Sequence, residues 1–286
     1  SYSEVLKGDN LTAAINYFVV PTEATTAVKY SDVVDGLDTN AGTKASPYKT
    51  ILKGIAQVTS GGTIYANNGT YAEDKYSLNL YVDRACNIIG IGKNDVVTGI
   101  GSGAIIYAVN DLIQTFKGLV VNGGATIQRG IQLALGTKSI IRCKISNSTQ
   151  QSVLTTSLET LVKDSIILNG EISSSGAKLN VIGNLIKTSG ARLSIGNSAG
   201  TSAISILYNR IKPISCTNTA LIVPVGNMTL IISFNEIDMS AIASCRAIYI
   251  NGSDTKTTTI KYNNFFSSVA NALNIIEWVS TAIDTI

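Results

Sequence analysis

The 286-residue sequence predicts an all-β protein that folds as a single-stranded parallel β-helix with a short capping helix near its N-terminal end. Two observations predict this fold. A motif of one polar residue, any residue and a large apolar residue recurs every 20 to 28 residues, and apolar residues precede it at a spacing of two. A period of this length is typical of a solenoid, and a spacing of two is typical of β-strands.

Asparagine occupies the polar position in the four clearest copies of the motif. These residues, separated by 25, 26 and 28 positions, are Asn184, Asn209, Asn235 and Asn263. Because Asn tolerates the left-handed backbone conformation, we expect each of them to bend its strand. Coils stacked about 4.8 Å apart would join the Asn side chains in a hydrogen-bonded ladder. In two earlier copies, Cys143 and Asp164 take the same position.

An aromatic residue stands directly before three of these Asn residues, at Tyr208, Phe234 and Tyr262. If the strand alternation continues to the bend, these side chains point inward. We therefore expect a buried aromatic stack. The alternative is a row of exposed rings that stack against sugars.

The first 29 residues are interpreted as an N-terminal extension or linker, in which residues 11–18 have a helical pattern, and residues 30–286 as one β-helix domain. A capping helix is predicted within residues 44–62, with Ser46 as N-cap and Pro47 as the first helical residue. Its apolar stripe would cover the open end of the first coil, as solenoids require. The stripe consists of Tyr48, Ile51, Leu52, Ile55 and Val58. A C-terminal cap is predicted at residues 267–286, which include Trp278.

Five runs in the first half of the chain share a recognisable pattern. They are Gly36 to Ile51, Gly61 to Tyr65, Gly69 to Tyr71, Asn87 to Gly92 and Phe116 to Val121. Together they resemble the N-terminal signature and first coils of pectate-lyase-like right-handed β-helix proteins. The resemblance implies right-handed winding, which parallel crossovers also favour, and a carbohydrate ligand. It does not imply one activity, because the superfamily includes polysaccharide lyases, hydrolases, phage tailspikes and non-catalytic adhesins.

Composition argues against several other classes. The net charge of +3 comes with no basic cluster, so nucleic acid is not an expected partner. No apolar run is long enough to span a membrane, and the first residues lack a signal-peptide pattern. Four scattered cysteines without any histidine disfavour a zinc site, and we expect free structural thiols rather than disulfides.

The most concentrated polar group in the repeat lies one and three residues after the bend. Arg210 and Lys212 should face Glu236 and Asp238 of the next coil, and Lys187 should lie one coil earlier. These four are the candidate catalytic residues, and all five are candidates for binding an acidic sugar. The competing interpretation is two ion pairs on a solvated sheet.

A calcium site is the weaker candidate. Asp35 and Asp38 have oxygen-rich spacing, although a turn before the capping helix explains them equally.

The predicted function is a carbohydrate-binding or structural β-helix of a bacterial surface or phage particle, similar to a fibre or tailspike. The alternative is a polysaccharide lyase or glycoside hydrolase that acts on an acidic polysaccharide in an outer groove. We prefer the non-catalytic function because the chain lacks histidine and an acidic cluster. No cofactor is expected, except calcium if the protein is a lyase. The expected partners are a polysaccharide and a homo-oligomer or larger assembly, at an extracellular, cell-surface or virion location.

Overall fold

The computed structural model describes residues 16–19, 36–67, 69–73, 79–91, 95–99, 103–123, 129–146, 149–188, 195–197, 201–215, 220–226, 228–240, 246–252, 256–266 and 276–280. Over these ranges the chain forms one short helix, α1 (Ile51–Gln57), and 28 strands. The strands belong to three sheets of ten, nine and nine strands, in which every pair of neighbours is parallel. The prediction of an all-β parallel β-helix with an N-terminal capping helix is confirmed.

The strands are short, most of them three to five residues long. In chain order they are β1 (Asn16–Val19), β2 (Thr63–Ala66), β3 (Gly69–Ala72), β4 (Leu80–Val82), β5 (Asn87–Gly90), β6 (Asp95–Thr98), β7 (Ala104–Ala108), β8 (Gln114–Lys117), β9 (Val120–Asn122), β10 (Arg129–Leu133), β11 (Thr137–Ile141), β12 (Lys144–Ser146), β13 (Gln151–Thr155) and β14 (Glu159–Lys163). They continue with β15 (Ile166–Leu168), β16 (Glu171–Ser174), β17 (Lys178–Ile182), β18 (Leu185–Lys187), β19 (Ile195–Asn197), β20 (Ala203–Leu207), β21 (Arg210–Ile211), β22 (Ala220–Val223), β23 (Met228–Ser233), β24 (Glu236–Asp238), β25 (Arg246–Gly252), β26 (Lys256–Lys261), β27 (Asn264–Phe266) and β28 (Ile276–Ser280).

Each coil of the solenoid passes through the three sheets in a fixed order. Sheet 1 contains β1, β2 and then every third strand to β26, sheet 2 runs from β3 to β27, and sheet 3 runs from β4 to β28. A two-residue bend joins sheet 1 to sheet 2, as at Tyr208 and Asn209 between β20 and β21. The bend recurs in register because every coil stacks directly on the previous one.

The core is a continuous column of apolar side chains inside the coils. In β20, Ile204 and Ile206 are buried while their neighbours are partly exposed, which is the alternation that the sequence pattern predicts. After the bend, Ile186, Ile211 and Ile237 are fully buried two residues beyond their Asn. Burial of this column is the main favourable contribution to folding.

The capping helix starts later than predicted. Its N-cap is Thr50, whose Oγ1 accepts a hydrogen bond from the Lys53 N–H at 3.1 Å, while Ser46 and Pro47 lie in the preceding turn. Asp38 fixes this start, because its carboxylate accepts from the N–H groups of Lys49 and Thr50. The apolar stripe joins the core as predicted, with Leu52 only partly buried.

A buried carboxylate that the sequence analysis missed also holds the helix start. Glu73 accepts hydrogen bonds from the N–H groups of Ile51 and Leu52, one on each carboxylate oxygen. These N–H groups have no partner inside the helix, so Glu73 satisfies donors that burial would otherwise leave unpaired. Glu73 lies two residues after the Gly69 to Tyr71 run, so its hydrogen bonds attach α1 to the first coil.

The two ends of the chain differ from the sequence-based expectation. Asn16–Val19 pairs in parallel with β2, so the helix predicted at residues 11–18 is wrong for its last three residues, and residues 1–15 lie outside the described ranges. The open edge of sheet 1 offers unpaired backbone groups, and pairing with them outweighs local helix propensity. At the other end, β28 pairs with β25 and its backbone sets Trp278 opposite Ile250. The rest of the predicted C-terminal cap is outside the described residues.

None of the helices in the described residues is long and apolar enough to cross a membrane.

Candidate functional site

The bend between sheets 1 and 2 consists of two adjacent residues whose side chains point in opposite directions. The residue before each Asn has a left-handed backbone, with φ of 58° at Tyr208, 59° at Phe234 and 58° at Tyr262. The prediction gave this conformation to the Asn, one residue later. A left-handed residue reverses the strand alternation, so it turns its own side chain outward and the next side chain inward.

The three aromatic rings are therefore on the outer surface, and the expectation of a buried stack is wrong. Tyr208, Phe234 and Tyr262 are 60%, 45% and 69% exposed. Their rings lie in parallel, with centroids 5.0 Å apart between Tyr208 and Phe234 and 5.1 Å apart between Phe234 and Tyr262. We call these three residues the ring stack. Bulky side chains in this backbone region carry strain, and such strain is often found at functional sites.

The four Asn residues form a ladder on the inner side of the same bend. The Oδ1 of Asn209 accepts from the backbone N–H of Asn184 at 2.9 Å and from its Nδ2 at 3.0 Å. The same pair of bonds joins Asn209 to Asn235 and Asn235 to Asn263. Each Nδ2 also donates to a backbone carbonyl of an earlier coil, for example Asn209 to Val181 at 2.8 Å. These buried amides are thus satisfied along the solenoid axis.

The register of the coil before Asn184 is one residue away from the predicted one. Ser165, not Asp164, continues the ladder, since its N–H donates to Asn184 Oδ1 and its Oγ accepts from the Cys143 N–H. Asp164 has φ of 51° and points outward like the aromatic residues. Ile167 is consequently buried, whereas Ile166 is exposed.

The candidate catalytic residues form two ion pairs across neighbouring coils. Arg210 Nε lies 2.7 Å from Glu236 Oε1, and Lys212 Nζ lies 2.9 Å from Asp238 Oδ2. Asp238 also accepts from the N–H and hydroxyl of Ser240, and these bonds together with Lys212 hold the pKa of its carboxyl well below the usual range. The Arg210–Glu236 pair is exposed and contributes little to stability, whereas the side chain of Asp238 is only 13% exposed.

Lys187 lies one coil before Lys212, on the same outer column of sheet 2. No carboxylate among the described residues pairs with Lys187. Lys187 and Lys212 are therefore neighbouring cations on this column, and only Lys212 has an ion-pair partner among the described residues. The register thus brings together all five residues proposed from the sequence.

These residues belong to a larger basic surface at the bends between sheets 1 and 2, which the sequence analysis did not find. We call it the bend surface. It comprises four positions in each of seven coils: the last residue of the sheet 1 strand, the left-handed residue, and the first and third residues after the inward ladder position. All are exposed or partly exposed except Ser146 and Ser233, which are buried. Its members are Lys117, Gly118, Val120 and Asn122; Ile141, Arg142, Lys144 and Ser146; Lys163, Asp164, Ile166 and Leu168; Ile182, Gly183, Leu185 and Lys187; Leu207, Tyr208, Arg210 and Lys212; Ser233, Phe234, Glu236 and Asp238; and Lys261, Tyr262, Asn264 and Phe266.

This bend surface carries eight lysine and arginine residues against three acidic ones, an excess of five positive charges, whereas the whole chain has a net charge of only +3. The basic residues are far apart in sequence, so no run of charge reveals them. Aligning the chain on its repeat period would have found them. The earlier inference that the protein has no basic cluster therefore holds for the sequence and not for the folded surface.

The predicted calcium residues are only half within the described structure. Asp38 is engaged by the backbone and hydroxyl of Thr50 and caps the turn, while Asp35 lies outside the described residues. Within the described ranges, no three His, Cys, Asp or Glu side chains are grouped so that they could hold a metal ion. Cys86 and Cys143 are free and buried, and burial raises the pKa of the Cys143 thiol to about 11.

Comparison with known proteins identifies the fold. No family model and no curated protein matches the chain. Solved structures do match: pectin methylesterase PemA from Erwinia chrysanthemi has a TM-score of 0.58 at 11% identity, covering 93% of this chain and 98% of that one. A pectin methylesterase in complex with a hexasaccharide has a TM-score of 0.55 at 12% identity, covering 94% and 99%. This protein has the right-handed parallel β-helix fold of these structures.

Proposed function

We propose that this protein binds an acidic polysaccharide along the bend surface. The observation that carries the proposal is the excess of five positive charges on that surface. A polyanion that follows the solenoid axis meets one or more cations in most coils, so its attraction sums over several weak contacts. A surface of one sign also raises the local concentration of an oppositely charged ligand and speeds association.

An enzyme that modifies such a polysaccharide is the second candidate, and the comparisons favour it over a non-catalytic fibre. Both similar structures are described as pectin methylesterases, and one of them contains a hexasaccharide. In this chain the group formed by Arg210, Lys212, Glu236 and Asp238 remains the candidate for catalysis. Because the pKa of Asp238 is held low, that residue stays ionised and would act as an anion rather than as a proton donor.

The proposal also fits a location outside the cell, on a cell surface or on a virion, because a protein that binds an acidic polysaccharide must meet it there. Assembly into a homo-oligomer or a larger particle remains part of the proposal. Calcium would be required only if the reaction is that of a lyase.

Binding is tested by titration calorimetry with polygalacturonate, alginate and chondroitin sulfate, with dextran as a neutral control. We expect at least one acidic polymer to bind more weakly as salt increases, because screening reduces attraction between exposed charges. The double variant Lys144→Glu and Lys163→Glu should weaken binding by about tenfold or more. Equal binding of dextran, or no binding of any polymer, would contradict the proposal.

A matched control separates local from global charge. Lys44→Glu with Lys49→Glu makes the same change in net charge, but these exposed residues lie in the turn before α1. We expect this variant to bind almost as tightly as the unaltered protein. A loss equal to that of the bend variant would show that only total charge matters.

Activity is tested on the same polymers by three readouts: methanol released from methyl-esterified pectin, unsaturated products and new reducing ends, each with and without calcium. If turnover is found, Glu236→Gln should reduce it while binding is retained. Binding without any of the three products would favour the non-catalytic function.

A further inference from the structure

The ring stack ends abruptly at one position. The left-handed position that holds Phe234 and Tyr208 in successive coils is Gly183 in the coil before them and Asp164 in the coil before that. Phe234 has a ring on each side, whereas Tyr208 has a ring only on the side of Phe234. The other face of the Tyr208 ring looks toward a residue with no side chain.

The missing side chain leaves a gap of defined size. Coils of a β-helix are about 4.8 Å apart, so Asp164 and Tyr208 are separated by two coil spacings with only the Gly183 backbone between them. One layer of atoms in contact with a ring occupies about 3.5 to 4 Å, so the gap is one layer thick. We call this gap the slot. Asp164, Gly183 and Tyr208 are all exposed, which leaves the slot open to solvent.

The opposite wall of the slot is polar. A Cβ placed on Gly183 would lie 2.7 Å from Asp164 Oδ1, so the carboxylate of Asp164 reaches over the glycine and borders the slot on the side opposite Tyr208. An aromatic face opposite a carboxylate suits a sugar, which offers an apolar C–H face on one side and hydroxyl donors around its rim. Lys163, beside Asp164 in the chain, and Lys187, on the outer column of the Gly183 coil, are cations near the slot.

We propose that the slot is a binding subsite for one pyranose ring of an acidic polysaccharide. The sugar stacks on the free face of Tyr208, its hydroxyl groups donate to Asp164, and its carboxylate is directed toward Lys187 or Lys163. This inference rests on the proposed function and adds the register of the ligand: the chain of sugars crosses the bend surface at Gly183, where the basic coils meet the ring stack.

The two ends of the ring stack provide a matched pair of variants. Tyr208→Ala and Tyr262→Ala each remove an exposed ring at the same backbone conformation and each remove one stacking contact with Phe234. Tyr262→Ala also removes the contact of Lys261 with the Tyr262 ring, so its melting temperature should fall slightly more than that of Tyr208→Ala. Affinity for oligogalacturonate and the other acidic oligosaccharides that bind the unaltered protein should fall roughly tenfold in Tyr208→Ala and clearly less in Tyr262→Ala, whose ring lies on the bend surface but does not border the slot.

A third variant fills the slot. Gly183→Phe extends the ring stack by one coil, at a position whose backbone conformation aromatic residues already adopt in the next three coils. It should abolish the contribution of Tyr208 to binding, so that Gly183→Phe and Gly183→Phe with Tyr208→Ala bind equally. Should the filled variant not fold, the pair of alanine variants decides the question alone.

The outcomes separate the subsite from the wider function. Equal affinity in the two alanine variants, with binding retained and still weakened by charge reversal at Lys144 and Lys163, overturns the slot and leaves the bend surface as the binding site. No acidic oligosaccharide bound by the unaltered protein overturns both. A selective loss in Tyr208→Ala supports the slot.

Discussion

The N-terminal and C-terminal coils make the same bend with different side chains. In the C-terminal coils, Asn forms the inner ladder and aromatic rings cover the outer side, and the charges there are paired as in Arg210 and Glu236. In the earlier coils, Cys143 and Ser165 take the inner position. Their outer positions hold Arg142, followed by Lys144, and Asp164, preceded by Lys163.

This difference shows that the bend positions can serve either stability or the attraction of a ligand. The backbone turn needs only a left-handed residue followed by a small or polar inward one, which many residue types satisfy. The C-terminal coils use the free positions for stacking and hydrogen bonding along the axis, which favours stability. The earlier coils use them for exposed cations, which favours ligand attraction.

The largest difference in stability between the two groups of coils is expected at the Asn ladder. Asn209→Val should cost about 3 kcal/mol of unfolding free energy, because the N–H of Asn184 and the carbonyl of Val181 both lose buried partners. Urea denaturation measures this loss. Ser165→Ala is the matched change in the earlier coils and should cost only about 1 kcal/mol, since the Cys143 N–H loses its acceptor while the Lys163 carbonyl, which loses the Ser165 hydroxyl, keeps the N–H of Arg142 as a donor. Equal losses would show that the two halves of the bend do not differ in stability.

A second prediction concerns the cap, which closes the N-terminal coils. Burial raises the pKa of Glu73 from 4.5 to about 7, against the effect of the two N–H groups that it accepts from. Because the pKa is higher in the folded than in the unfolded state, the stabilisation from this carboxyl is full below pH 4.5 and is lost as pH rises through about 7. Relative to Glu73→Gln, which does not titrate, the protein should lose about 3 kcal/mol as pH rises through that range.

Thermal unfolding of both proteins between pH 4 and pH 8 measures this effect. Asp238 provides a control of opposite sign in the C-terminal coils. Its pKa is lowered, so its stabilisation is present above the usual value near 3.8 and is lost only as pH falls below that value. Asp238→Asn should therefore leave the slope between pH 4.5 and pH 7 unchanged. Parallel curves for Glu73→Gln and the unaltered protein would contradict the assignment.

The smallest expected effect on stability concerns the paired charges of the C-terminal coils. Arg210→Ala should change the unfolding free energy by no more than about 1 kcal/mol, because the ion pair with Glu236 is exposed. Binding of an acidic polysaccharide should nevertheless weaken, since the variant removes a cation and leaves Glu236 unpaired on the bend surface. A loss of stability greater than 2 kcal/mol in urea denaturation would show that Arg210 has a structural function instead.

Much of the fold was predictable because it repeats. The period, the inward column from Ile186 to Phe265 and the apolar stripe of α1 depend on spacing alone, and spacing is visible in the sequence. The predicted register was wrong at Asp164 and Ser165, because both residues are small and polar and either could fill the inward position. Only the neighbouring coil decides, through the acceptor that Asn184 offers to the Ser165 N–H.

Other features were invisible for a different reason. Lys138 is fully buried, and its Nζ donates to the carbonyl oxygens of Asn110 and Leu112 and to Asn110 Oδ1, while burial lowers its pKa to about 8. The spacing of two places Lys138 on the inward side with Ile140, but the sequence does not show which acceptors would satisfy an inward ammonium group. Its acceptors come from the previous coil, so its environment exists only after the coils stack.

The sequence by itself determined that the chain forms stacked β-coils, where the bends fall, and which apolar residues face inward, because hydrophobic alternation and period are local properties of the chain. The tertiary structure alone decided which bend residue is left-handed, that the rings of Tyr208, Phe234 and Tyr262 face solvent, and that eight distant cations share one surface. The physical reason is that these properties depend on register between coils. A shift of one residue reverses every side chain, and the register is fixed by hydrogen bonds between residues 19 to 28 positions apart.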